Sequence, residues 1–198
     1  MNTPTVDVHA HVLLPEVEAL VAGLPGHAEA KELDARRNGP AALAVSGPMV
    51  RERIPRLTDP AVRLAAMDAQ GVDVQLVCPS PSHYHYWADK DTAEKLYRLA
   101  NEATAAHCAA APDRLRGLGL APLQHPEQAV RALDHTLEQG LAGVEISSHA
   151  PGRELSAGAA PRRPPPARNA GRPSGRRCGG PPAGARGAGG PARRPAAR

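Results

Sequence analysis

The strongest constraint on this chain is a break near residue 158. Every Val, Ile, Leu, Met, Tyr and Trp of its 198 residues lies before that point, and residues 159–198 are almost entirely Ala, Pro, Arg and Gly. Such a segment cannot bury enough apolar surface to offset its ordering entropy, so 159–198 is expected to be a disordered, basic, low-complexity tail. Only 1–158 can build a core. The break also divides the charge: 14 basic and 20 acidic residues precede it, and ten basic and no acidic residues follow it. The formal net charge of +4 therefore averages an acidic domain with a basic tail. A basic protein suggests a nucleic-acid partner, but here the basicity belongs to the tail alone, and no nucleic acid is expected on the folded part. Two origins compete for the tail. One is a natural low-complexity extension. The other is a shifted reading frame in a GC-rich gene, which yields this composition, and the abruptness of the break favours it.

Several classes are excluded early. No apolar run reaches membrane-spanning length. The start, MNTPTVDVHAHV, has no basic segment followed by an apolar one, so it does not read as a secretory signal. Cys78, Cys108 and Cys178 are odd in number and lack CxxC spacing. That argues against a disulfide framework and fits a cytoplasmic location.

Within 1–158, strand and helix patterns alternate. Thr5–Val12 alternates as a strand and Glu16–Val21 reads as a short helix. Residues 22–57 lack clear periodicity and read as a long loop excursion with one short helix. Asp59-Pro60 is a helix start, and Gly71 stops the helix Pro60–Gln70. Val72–Cys78 is a second strand, followed by a loop over Ser80–Ala88. A long helix over Asp91–Ala110 carries the stripe Leu96, Leu99, Ala100, Ala103. Leu115–Ala121 is a third strand, and Leu141–Ser147 a fourth. The helix Pro126–Gln139 between them is expected to turn Ala129, Ala132, Leu133 and Leu137 inward. This alternation predicts an α/β fold with a parallel sheet. Four units fill this stretch, whereas a complete (β/α)8 barrel takes about 250 residues. The expectation is the N-terminal half of a TIM-type barrel, 1–158, followed by the tail.

Residues i and i+2 of a strand share a face. His9 and His11 therefore point together near the C-terminal end of a parallel strand, where barrel active sites sit. Two adjacent imidazoles suit Zn2+ or another divalent metal. Against this stands the reading of two solvent-facing strand histidines. His83 and His85, after the second strand, and His149, after the fourth, fall at the expected mouth and are candidates to line a substrate pocket. Cys78 reads as a buried structural thiol, and His107 as helix packing.

The motifs DVHAHVLLPE, DPAVRLAAMDAQGVDVQLVCPSP, NEATAAHCAAAPDRLRGLGLAPLQ and GLAGVEISSHAPGREL, taken in order, resemble the amidohydrolase superfamily. Within it they are similar to the aminocarboxymuconate-semialdehyde decarboxylase branch. The resemblance implies a metal-dependent carboxy-lyase or hydrolase acting on a small carboxylated substrate, with His9 and His11 as metal ligands. It also implies a later-strand His and a late Asp as further ligands, and another His as acid/base. The tail contains no His or Asp to take those roles. Arg51, eight residues before Asp59, matches an arginine that grips a substrate carboxylate in that branch.

A half barrel leaves sheet edges open. The chain as written is therefore expected to be an impaired catalyst, and a homodimer is the expected route to a fuller core. The alternative function is a degenerate α/β domain whose tail binds RNA or acidic partners through its charge.

Overall fold

The computed structural model describes residues 3–150 and 153–154. Expectations for the tail 159–198 lie outside the described residues. The chain divides into two units, Met1–Pro161 and Arg162–Arg198, and all described elements belong to the first.

The chain opens with strand β1, Val6–Val12, and helix α1, Pro15–Val21. Helices α2, Pro25–Thr58, and α3, Pro60–Gln70, follow. Strand β2 is Val74–Pro79, and a 3-10 turn at Pro81–His83 leads to helix α4, Lys90–Ala109. Strands β3, Leu115–Gly117, and β4, Gly119–Leu120, precede helix α5, Pro126–Glu138. Strand β5 is Val144–Glu145. The last described elements are β6, His149–Ala150, and β7, Arg153–Glu154, which pair antiparallel.

The main strands pair in parallel, β1 with β2, β2 with β3, and β4 with β5. β3 and β4 are one strand interrupted at Leu118, whose N–H donates to Val77 O at 2.8 Å. Spatial order thus follows chain order. A doubly wound sheet reverses its order midway, whereas a barrel does not.

The caps explain why α3 was legible. The Asp59 carboxylate accepts from the N–H groups of Ala61, at 2.8 Å, and Val62, at 3.4 Å. Gly71, at φ 68°, closes the helix with its N–H on Met67 O and Asp68 O. Val12, Val17, Val21, Met67, Val77, Leu96, Ala100, Leu115 and Leu120 form the core between sheet and helices.

The structure corrects the sequence reading in three places. Residues 25–58 are helical, not a loop, with a kink at Gly39, φ 74°, after which Pro40 starts the second piece. Nearly all of α2 faces solvent, and only His27 is buried, so the helix needs no apolar stripe and shows no periodicity. On α5 the inward face is Gln128, Ala132, His135 and Thr136, while Leu133 and Leu137 face out. Buried hydrogen bonds decide that face: Thr136 Oγ1 accepts from Asn101 Nδ2 at 2.8 Å, and Asn101 Oδ1 accepts from Leu120 N at 2.6 Å. The fourth strand shrinks to Val144–Glu145. Gly143, at φ 157°, precedes it in a backbone conformation that L side chains rarely adopt. Among the described residues, no helix is long and apolar enough to cross a membrane.

Candidate metal centre

β1 does not run in simple register. Asp7 pairs with Gln75 and Ala10 with Val77, so β1 holds one extra residue between these pairs. This is a β-bulge, a device that re-aims side chains. Beyond it His11 lies opposite Cys78. The His9 and His11 rings stand 4.6 Å apart, nearly perpendicular at 81°.

Polar contacts hold the bulge. Asp7 Oδ1 accepts from His9 N at 3.1 Å, and Asp7 Oδ2 accepts from Gln75 Nε2 at 2.8 Å. Beneath them lies Arg63, a buried arginine on α3. Its Nη1 donates to Gln75 Oε1 at 2.7 Å, its Nη2 to His11 O at 2.6 Å, and its Nε to His107 Nε2 at 3.0 Å. Burial pulls the Arg63 pKa below the usual arginine value. Burial, and then the Arg63 charge, pushes His107 down to about 4, so it stays neutral and accepts. His107 is the packing residue that its helical position implied.

The third group at the site is Glu145, at the end of β5. One donor atom each from His9, His11 and Glu145 lie within 4.8 Å of one another. Glu145 Oε2 is buried with no hydrogen-bond partner among the described residues. Sequence reasoning missed this residue. The available signal was an acidic side chain in an otherwise apolar strand, VEI, near the C-terminal end of a parallel strand, where barrel sites sit.

Cys78 and Tyr84 flank the carboxylate. Burial first, then hydrogen bonding to Glu145, pushes both the thiol and the phenol above their ordinary values, so both remain protonated. The Cys78 thiol donates to Ala10 O at 3.3 Å. Its sulfur lies 3.4 Å from His11 Nδ1 and is free to accept. The Nδ1–H tautomer of His11 suits this contact and would leave the Nε2 lone pair for a metal. Cys78 is thus buried as expected, and it also orients a candidate ligand.

His83 and His85 belong to a second cluster with Glu18. His83 is fully buried, and its Nε2 accepts from Leu14 N at 3.0 Å. A backbone amide only donates, so the proton sits on Nδ1, 3.2 Å from Glu18 Oε1. His83 thus has no lone pair to offer a metal or substrate in this arrangement. His85 holds an uncommon positive φ of 41°, and burial pushes its pKa down to about 4. It lines a cavity of about 930 Å3 between α2 and the loop after β2. Tyr84, Tyr86 and Trp87 form an aromatic wall there, with Arg36 and Arg37 opposite. Arg51 is exposed on α2 and is not among the residues lining this cavity. His149 starts β6, and its side chain lies outside what is described.

The parallel barrel-type order and the histidine pair near the C-terminal ends of its strands define a candidate class, and comparison with known proteins agrees on the family. The chain belongs to the amidohydrolase family, whose model matches residues 6–164. A 2-amino-3-carboxymuconate-6-semialdehyde decarboxylase of Dictyostelium discoideum is 30% identical over 151 residues, covering 76% of this chain and 42% of that protein. A gamma-resorcylate decarboxylase of Rhodococcus jostii is 28% identical over 101 residues, covering 50% of this chain and 31% of that protein. Among solved structures, a 5-carboxyvanillate decarboxylase of Sphingomonas paucimobilis is 29% identical, with a TM-score of 0.56 over 75% of this chain and 44% of that one. A 5-carboxyvanillate decarboxylase of Novosphingobium aromaticivorans, solved with manganese and a nitrobenzoic acid, matches in fold at 24% identity, with a TM-score of 0.61 over 80% of this chain and 45% of that one. The chain therefore spans about two-fifths of the length of the first of these relatives, and the likeness is to part of a barrel.

Proposed function

We propose that these residues form the N-terminal part of a metal-dependent carboxy-lyase that acts on a small carboxylated aromatic acid. The observation that carries this reading is the pair His9/His11, held side by side by the β1 bulge at the C-terminal end of parallel strands. The donor set fits a divalent ion: two imidazoles, one of them with its lone pair freed by the Cys78 contact. Zinc is the expected metal, and the manganese in the Novosphingobium relative marks the chief alternative. When bound, the metal polarises a substrate oxygen and stabilises negative charge as it develops.

The chain's own residues supply the rest of this half of the site. The aromatic wall Tyr84, Tyr86, Trp87 suits a flat ring. Arg36 and Arg37 at the cavity, beside Glu29 and Asp34, are candidate partners for the carboxylate, and Arg51 lies further along the helix. His85 contacts the substrate from the cavity wall, and His83 positions the α1 end through Leu14. His149 stays a candidate at the mouth. No acid/base residue is assigned among the described residues, so the chain alone is expected to turn over slowly. The free thiols Cys78 and Cys108 support a reducing, cytoplasmic setting. The RNA-binding alternative rests on the tail, outside the described residues.

The test is carbon dioxide release from 2,6-dihydroxybenzoate by the zinc- or manganese-loaded chain. Slow release that is lost in His11→Ala supports the reading. Acid release from esters or lactones, without carbon dioxide, would favour a hydrolase on the same scaffold. Carbon dioxide release unchanged by His11→Ala would sink the metal role of this pair.

A further inference from the structure

We propose that Glu145 is a third metal ligand, so that this chain holds a three-donor site for a divalent cation of its own. The inference rests on the metal reading of His9 and His11. It departs from the ligand set that the family resemblance implies, whose third and fourth members come from later strands.

Three observations converge on Glu145. The first is position. β1 and β5 present their C-terminal ends to the same place, and donor atoms of His9, His11 and Glu145 lie within 4.8 Å of one another. Ligands at about 2.0–2.2 Å from one ion sit somewhat closer together than that.

The second observation is the unpaired carboxylate oxygen. Glu145 Oε2 is buried and has no hydrogen-bond partner among the described residues. No described salt bridge involves Glu145. Its polar neighbours are the neutral Cys78 thiol and Tyr84 phenol, which offer the carboxylate hydrogen bonding but no positive charge. Glu145 is half-buried, and a carboxylate oxygen shut off from water without a compensating partner is costly. A divalent ion beside the two imidazoles supplies the missing charge at the missing position.

The third observation is the donor chemistry. The Cys78 thiol donates to Ala10 O, and its sulfur faces His11 Nδ1. This spends the sulfur on orienting His11 and removes it as a ligand. What remains is two imidazole nitrogens and one carboxylate oxygen. That set binds zinc in hydrolytic enzymes and other divalent metals elsewhere, and it leaves positions open for a substrate oxygen or water.

The experiment uses the full chain, stripped of metal and titrated with Zn2+ by calorimetry and with Co2+ by visible absorption. The expected result is one metal per chain, with affinity at least about 10-fold weaker in Glu145→Gln and lost in His11→Ala. Far-UV circular dichroism checks each fold. A second measurement needs no variant to fold: in wild-type chain carrying 13C-labelled glutamate, one side-chain carboxyl resonance should move with stoichiometric zinc. Wild-type affinity in Glu145→Gln, with binding still lost in His11→Ala, would overturn the role of Glu145 and leave the histidine reading standing. Binding that ignores all three residues would overturn both. Carboxyl resonances that stay put on zinc addition would also overturn the proposal.

Discussion

Cys78 shows how one residue can be half legible. Its place at the end of an apolar strand predicts burial, and it is buried. Its contact with His11 depends on the parallel pairing of β1 with β2, which no local pattern displays. The same holds for Glu145, which meets His9 and His11 only when the first and last parallel strands come together. The nearness of the two histidines was legible, because i and i+2 on a strand stay neighbours, but the bulge that sets their mutual angle was not. Cys78→Ala should remove the acceptor for His11 Nδ1–H and weaken zinc binding about 10-fold, as measured by calorimetry, with the fold retained. The buried histidines make a separate prediction. His85 and His107 both have folded pKa values pushed down to about 4 from 6.5. Above pH 6.5 they are neutral in both states, and their full contribution to stability is present. Between 6.5 and 4 the unfolded chain takes up protons that the folded chain refuses, so stability falls with pH. Urea midpoints measured from pH 7.5 to 4 should decline across that window, and His107→Gln should flatten part of the decline. A flat profile would contradict the burial of these rings.

At the scale of elements, the segments with strong local signals fold as read. α3 has a cap, a proline at its first position and a glycine stop, and its bounds match. α4 shows its apolar stripe because the stripe is buried against the sheet. α2 gave no such signal, because solvent surrounds it and its helicity survives three internal prolines and the Gly39 kink. α5 was read by apolar count, but a buried hydrogen-bond set orients it instead. That set also explains Gly119. A Cβ there would sit 2.5 Å from Thr136 Oγ1 and 2.7 Å from Asn101 Oδ1. Gly119→Ala should therefore destabilise the chain by roughly 1–3 kcal/mol through overpacking. Urea denaturation checks this, and an unchanged midpoint would argue against the packing of α5 on β4.

For the whole molecule, the parallel order explains both the site and its exposed flanks. On β1, Val6 and Val8 are 50% and 70% exposed. On the other flank, Val130, Leu133, Leu137 and Ile146 are all exposed. Apolar side chains beside an unpaired strand edge favour association. The chain should sediment as concentration-dependent oligomers, and the pair Val8→Lys with Leu137→Lys should shift it toward monomer in analytical ultracentrifugation. A monomer at all concentrations would show that these flanks are not sticky. Barrel class was legible from strand–helix alternation, and the number of parallel strands matched. The short fourth strand and the β1 bulge were not legible, because register is settled by partners rather than by local sequence.

The central claim is that His9 and His11 bind a metal at the catalytic end of this sheet. Zinc K-edge X-ray absorption on the full chain loaded with one equivalent of zinc tests it directly. The account predicts first-shell nitrogen and oxygen at about 2.0–2.2 Å, imidazole scattering from two histidines that drops in His11→Ala, and no sulfur. A sulfur shell at about 2.3 Å, or a spectrum without imidazole scattering, would contradict it.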